Sequence, residues 1–305
     1  MTDRVSPGPR AVSGIVLIDK PAGATSNRVL QRMKRLFRAR KAGHTGTLDP
    51  MATGMLPICF GVATKVAGLM LSASKRYRVD VLFGAATDTG DATGSTIETR
   101  EIQAPVLAEM QSAVAGMRGP LDQIPPMYSA LKHQGKRLYE LAREGREVER
   151  AARRVEILEF ELEAFDWPRA RLQVHCSKGT YVRSLVTDLA GRLGTVAHVT
   201  ALRRLSVSPF EESQMVSTEE LEEAASGGNG ELDRWILGID TALIEMPEVL
   251  LDEPDAAALR HGRPVEVLHR QAEGRVRVYQ RDAGFIGVGD FADTGQLRPV
   301  RIFPK

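Results

Sequence analysis

The sequence predicts an α+β protein: a mixed or antiparallel sheet with helices packed on it, followed by a small β-rich domain. Three observations carry that prediction. Apolar patterns of period 2 and period 3.6 follow one another in no regular alternation, which disfavours a wound parallel sheet. No internal repeat is visible. After about residue 240 the pattern changes to short strands separated by glycine-bearing turns. A length of 305 residues suits two domains, and the boundary is placed between residues 1–240 and 241–305.

Residues 14–18 are almost continuously apolar and read as a buried strand. Thr25 or Ser26 then caps a helix running to about residue 39, because Val29, Leu30, Met33, Leu36 and Phe37 form one stripe. The most apolar stretch, 54–73, matches the ~20-residue length of a membrane span. It contains Pro57, Gly61, Lys65 and Gly68, so a buried strand followed by a helix is expected instead. Residues 75–83 alternate, with Tyr77, Val79, Val81 and Phe83 on one face of a half-buried strand. A Gly/Asp/Thr-rich connection spans 87–95, a helix is expected over 104–117, and 123–126 reads as an irregular loop. The segment 132–154 carries eight basic residues against four acids around a short helix at 138–143. Strands at 155–165 and 171–176 meet at a turn near Pro168. Val182, Leu185, Val186 and Leu189 give 180–192 helical spacing, with a stop at Gly191 or Gly194. Ser217 with Glu220 marks the capping box of an acidic helix that ends before the glycine-rich break at 226–230. Beyond it, a short helix near 254–261 precedes strands at 275–279, 285–291 and 297–303.

Apolar residues make up 43% and charged residues 26%, ordinary globular usage. Lys+Arg at 41 against Asp+Glu at 39 leaves a net charge of +2, so any polyanionic partner must be met by local clusters. Cys59 and Cys176 are too far apart in sequence for a CxxC motif, and they suit a reducing cytoplasm. The polar start at 1–10 and the short apolar run after it do not make a signal peptide, and a soluble intracellular chain is expected. Phosphate-loop, zincin and hydrolase-elbow motifs are absent. Gly287-Val-Gly289-Asp-Phe-Ala292 loosely matches a dinucleotide fingerprint but has no helix after it. Asp88 and Asp91 lie in a Gly/Thr loop with too few oxygen ligands at fixed offsets for Ca²⁺, which leaves ordinary turn chemistry.

The informative loop is Ala42-Gly-His-Thr-Gly-Thr-Leu-Asp49-Pro-Met-Ala-Thr-Gly54. Glycines around one acid and one imidazole imply a backbone that comes close to something. Composition by itself favours a plain turn, with Asp49 capping before Pro50 and His44 bonding locally. Context favours function. A basic helix (Arg28, Arg32, Lys34, Arg35, Arg38) feeds into the loop, and the second basic segment follows at 132–154. With Tyr77, Tyr128, Tyr139 and Tyr181 these clusters read as phosphate contacts beside stacking platforms.

Gly43-His-Thr-Gly-Thr-Leu-Asp-Pro50 followed by Ala52-Thr-Gly-Met-Leu-Pro57 closely resembles the signature of the TruB family, the bacterial tRNA pseudouridine-55 synthases. Further blocks in family order are Asp19-Lys-Pro21 with Ser26-Asn27, Lys75-Arg-Tyr-Arg-Val79, Thr87-Asp-Thr-Gly-Asp91, Met127-Tyr-Ser-Ala-Leu-Lys132, His175-Cys-Ser-Lys-Gly-Thr-Tyr-Val-Arg183 and Ala197-His-Val-Thr-Ala-Leu-Arg-Arg-Leu205. Ala190, where the family usually has glycine, and the arginine-rich stretch 150–155 depart from it. The resemblance implies a pseudouridine synthase catalytic domain with an RNA-gripping insertion at about 124–154, then a PUA-like RNA-binding domain. It implies isomerisation of uridine 55 in the TΨC loop by base flipping, without metal or other cofactor. Partners follow: the tRNA stem-loop, no guide RNA and no membrane, with the chain acting as a monomer in the cytoplasm.

By position, Asp49 falls on the catalytic aspartate and Arg183 on the arginine paired with it. A carboxylate is already ionised at neutral pH, so it serves as nucleophile or base unaided, and a nearby arginine is expected to lower its pKa. Arg183 as a plain phosphate contact is the alternative. Tyr77 and Tyr181 match the uridine-pocket tyrosines, Tyr77 also counted among the catalytic set. Leu202 matches the apolar wall, although a core leucine reads the same way. His44 matches the histidine that enters the space left by the flipped base, and Lys20 lies near the site by family position. Two other functions use the same residues: an RNA-binding, tRNA-folding chaperone without essential catalysis, and a guide-RNA-dependent synthase acting on other RNAs.

Overall fold

The computed structural model describes residues 8–101, 103–267, 273–292 and 295–303. Of the polar start expected at 1–10, residues 1–7 lie outside the described residues.

The chain builds one large mixed sheet. Its strands are β1 (Gly14–Lys20), β2 (Ala42–His44), β3 (Thr53–Phe60), β4 (Lys75–Phe83), β5 (Gly119–Gln123), β6 (Arg153–Asp166), β7 (Arg169–Cys176), β8 (Ala197–Val207) and β9 (Val216–Ser217). Their order is β9-β1-β3-β8-β4-β7-β6-β5, with β2 also paired to β3. Helices α1 (Ser26–Leu36), α2 (Leu107–Ala115), α3 (Val182–Arg192) and α4 (Thr218–Ser226) pack against it. At β1 and β3 both faces are covered, which is why those strands read as unbroken apolar runs. Val16, Ile18, Leu56 and Ile58 meet α1 on one face, while Ile15, Leu17, Met55 and Cys59 fill a second cluster on the other. At β4 only one face is covered. Val79 and Val81 pack with Leu185 and Leu189 of α3 and Met110 of α2. The other face carries cross-strand ion pairs: Arg76–Glu159, Arg78–Glu163 at 2.8 Å and Arg171–Asp80 at 2.6 Å.

Several elements differ from expectation. Helix α1 ends at Leu36, because Arg38 adopts a left-handed conformation (φ 49°) that the helix cannot continue through. After β3 the chain makes a 3₁₀ turn at Gly61–Lys65 and one helical turn at Ala67–Met70. Strand β5 fills a stretch for which no element was expected and ends at Gln123, where the irregular loop was expected to start. It lies at the sheet edge, the position in a sheet that accommodates a proline such as Pro120. Strand β8 runs through the middle of the sheet, yet its irregularities at 199–201 and 204–206 interrupt the alternation that would announce it.

The C-terminal region forms a second sheet from β10 (Glu248–Leu251), β11 (Val265–Glu266), β12 (Gly274–Gln280), β13 (Gly284–Phe291) and β14 (Gln296–Ile302), ordered β10-β12-β13-β14-β11. Helix α5 (Glu253–Arg260) supplies Ala256 and Leu259 to its own apolar core. Gly287 of the loose fingerprint sits inside β13, where an added Cβ would stand 2.2 Å from the Arg301 carbonyl, so strand packing accounts for it. Val288 and Phe303 meet Val66 and Leu243 and join the two sheets. No helix among the described residues is long and apolar enough to cross a membrane.

Candidate active site

The site begins at a gap in the sheet. Strand β8 pairs with the start of β3 at Thr53 and Gly54, while β2 pairs with its end at 58–60 on the same edge. The loop 45–52 is pushed out between them. Gly54 (φ 96°) must be glycine, since a Cβ would lie 2.2 Å from the Arg204 carbonyl. From the first turn of α1, the Ser26 hydroxyl accepts from the Leu48 amide at 2.8 Å and donates to its carbonyl at 3.1 Å. Thr25 supplies the helix cap, so Ser26 is free to pin the loop. Beneath it the Lys20 ammonium, fully buried, donates to the carbonyls of Pro21 (2.8 Å), Ala24 (2.7 Å) and Pro50 (3.2 Å). Burial pushes its pKa down to about 8, against the attraction of Asp49. Lys20 thus lies under the loop, holding its backbone.

Asp49 projects from this pinned segment toward the first turn of α3. Arg183 grips it from two directions: Nε stands 2.9 Å from Oδ2, and Nη2 donates to Oδ1 at 3.1 Å. The guanidinium is 4% exposed and its other donors are also used. Nη1 donates to the Thr89 carbonyl at 2.6 Å and Nη2 to the Tyr128 carbonyl at 2.7 Å. A second carboxylate, Asp91, stands 3.8 Å from Nη1. Thr89 and Thr93 hydroxyls bond it at 2.9 and 2.5 Å. About a third of the Asp49 side chain (32%) stays open. Its pKa is raised, not lowered. Loss of solvation outweighs the Arg183 charge, and Asp91 adds repulsion.

Around the pair lie most of the residues singled out from sequence. Tyr77 on β4 and Leu202 on β8 share one buried cluster with Leu48, the residue before Asp49. Burial raises the Tyr77 phenol pKa, opposed by Arg204 opposite it in register. Tyr181 caps the N-terminus of α3 and is partly exposed, its phenol pKa also raised by burial. His44 ends β2, where its Nδ1 accepts from the Gly46 amide at 3.4 Å. Burial, with Arg204 nearby, lowers its pKa, so the ring is neutral at physiological pH.

Family models match consecutive segments: the N-terminal domain of the TruB family pseudouridylate synthases over residues 34–182, a tRNA pseudouridylate synthase B C-terminal domain over 183–244, and a pseudouridine synthase II TruB C-terminal domain over 247–303. A tRNA pseudouridine synthase B of Yersinia pestis (strain Pestoides F) is 46% identical over 301 residues, covering 96% of this chain and 93% of the relative. That of Pseudomonas putida (strain GB-1) is 47% identical over 294 residues, 96% of each. The chain belongs to the TruB family.

Solved structures share the fold. A Cbf5-Nop10-Gar1 complex matches with a TM-score of 0.74 at 22% identity, over 100% of this chain and 90% of the other. An H/ACA RNP bound to a substrate RNA containing 2′-deoxyuridine matches at 0.73 and 20% identity, over 96% and 85%. In this TruB-family chain, three residues beyond those chosen from sequence build the site. Asp91 read as turn chemistry, yet its buried carboxylate faces Arg183. Gln123 fell in an expected loop. Its amide clasps the Tyr181 backbone, accepting from the N–H at 2.7 Å and donating to the carbonyl at 3.0 Å. Arg204 lies in the family block at 197–205 without a role that the sequence could assign. Only its mid-strand position, a long cation where a core residue was due, could have marked it.

Proposed function

We propose that the chain isomerises uridine 55 in the TΨC loop of tRNA to pseudouridine by base flipping, with Asp49 as the catalytic carboxylate. The carrying observation is a carboxylate held two-pronged by Arg183 with one side open, its charge felt by Tyr77 and Tyr181, next to Leu48, which packs with Tyr77 and Leu202. Flat and apolar side chains replace the stacking a base loses on leaving its helix. The C1′–N1 bond breaks, uracil rotates, C1′–C5 forms, C5 gives up its proton and N1 gains one. Asp49 acts on C1′, on C6 or on a sugar proton, and all three routes need its ionised form. Arg183 aims it, Asp91 and the two carbonyls hold Arg183, and Lys20 holds the loop backbone. His44, neutral, occupies the space left by the base. The names of the relatives, tRNA pseudouridine synthases at 46–47% identity, support tRNA as substrate. Exposed Lys132, Lys136, Arg137, Arg143 and Arg146 support an RNA-gripping segment at 124–154. We assign catalysis to residues 1–240 and RNA binding to a PUA-like domain at 241–305. The chain works as a cytoplasmic monomer with no guide RNA, metal or other cofactor.

The test is pseudouridine formation on an isolated T-arm stem-loop without guide RNA, by wild type and Asp49→Asn. Wild type converts the uridine. The variant binds with near-normal affinity, because phosphate contacts dominate binding, and loses more than about 10³ in rate. Asp49→Asn working at the wild-type rate refutes the catalytic assignment. Conversion only with added guide RNA, or binding without conversion by the wild type, replaces this reading by the guided synthase or the chaperone.

A further inference from the structure

Arg204 is among the largest fully buried side chains of the protein, 1% exposed, in the middle of β8. Burying a guanidinium carries a large desolvation penalty, largest where no carboxylate faces it. Among the described residues its partners are not carboxylates. Nε donates to the Met55 carbonyl at 2.6 Å and Nη2 to the Gly46 carbonyl at 3.2 Å. The Tyr77 phenol stands opposite Arg204 in register and feels its charge. The charged or titratable neighbours that feel Arg204 are Lys20, His44 and Lys75, none of which offers a negative charge. Packing alone would be served by leucine or methionine at such a position.

One guanidinium therefore ties the start of the catalytic loop at Gly46 to the strand that receives the loop at Met55, and it does so directly across the sheet from the stacking tyrosine.

We propose that Arg204 is a positioning residue for the isomerisation, setting the Tyr77 hydroxyl and the 46–48 backbone against each other so that a flipped base meets Asp49 in one geometry. This rests on the proposed pseudouridine synthesis. Arg204 itself does not touch the base; it acts through Tyr77 and the loop.

The test uses Arg204→Lys, Arg204→Met and Arg204→Ala in the full chain. Single-turnover pseudouridine formation and RNA affinity are measured beside wild type and Asp49→Asn. Misplacing reacting groups is costly, so Lys and Met should slow the step by about ten- to a hundred-fold with RNA affinity unchanged. Lysine keeps the charge but lacks the planar fork. Free guanidinium should restore part of the Ala variant's rate, while ammonium should not. In a Tyr77→Phe background, Arg204→Lys should cost little more, a non-additivity a merely structural role would not produce. Wild-type rates in Lys and Met, or strictly additive losses with Tyr77→Phe, overturn the proposal. So does a failure of all three variants to fold, which would make the carbonyl contacts the whole purpose of the residue. A wild-type chain that makes no pseudouridine instead refutes the underlying function.

Discussion

Asp49 combines two demands that pull its protonation in opposite directions. To be aimed, it must sit against a buried arginine and a pinned backbone, and that enclosure strips its solvation. Arg183 offsets part of the cost, while Asp91 adds repulsion on the other side of the same guanidinium. The balance is a pKa above the ordinary carboxylate value. That sign has two consequences. Single-turnover rate should fall on acidification at a higher pH than a free aspartate would impose, since the ionised form does the chemistry. For stability, a raised acid prefers its protonated form in the fold, so its contribution is full at low pH and lost as pH rises through the folded-state pKa. Asp49→Asn, which mimics the protonated form, should melt above wild type near neutral pH. The difference should shrink toward about pH 4, where an unperturbed carboxyl also protonates. A variant that melts lower at every pH would mean that the Arg183 attraction dominates after all.

At the scale of the element, α1 shows how far a charge pattern can be read. Its apolar stripe was legible, and Val29, Leu30, Met33 and Phe37 are buried as that stripe requires. The basic side divides. Arg32 turns onto the acidic helix α4, with Nε 2.7 Å from Glu222 and a bond to the Thr218 hydroxyl at 3.0 Å. Arg28, Arg35, Arg40 and Lys41 remain exposed. One-dimensional charge runs do not say which cations meet an acid from 190 residues away. Neutralising Arg28 and Arg35 to Gln should weaken RNA binding and reduce the log–log salt slope by about one for each phosphate left without its cation. Arg32→Gln should leave the slope unchanged, because Glu222 already answers that charge. Equal slopes for all three chains in a filter-binding series would show that α1 meets no phosphate.

Across the whole molecule, the N-terminal sheet carries the site and the C-terminal sheet is seated on it through a small apolar junction. Phe303 is 7% exposed there, against Val66, Leu243 and Val288. Truncating a buried phenylalanine removes apolar burial and leaves a cavity, so Phe303→Ala should cost about 3 kcal/mol in urea unfolding. Conversion of an isolated stem-loop by the folded fraction should stay at the wild-type rate, since the junction lies apart from Asp49 and its partners. A loss of conversion without a loss of stability would tie the junction to catalysis.

The sequence by itself determined the local periods, the helix caps, the glycine-lined loop and the family blocks. Those features depend on neighbours a few residues apart, where spacing maps directly onto geometry. Strand order, the gap between β2 and β8, and the partners Asp91, Gln123 and Arg204 were decided only by the tertiary structure. Asp49 meets Arg183 across 134 positions of chain, and Gln123 meets Tyr181 across 58. Burial follows from that assembly as well, and it reversed the expected direction of the Asp49 pKa: the charge of Arg183 can be read from the chain, but the water its neighbours exclude cannot.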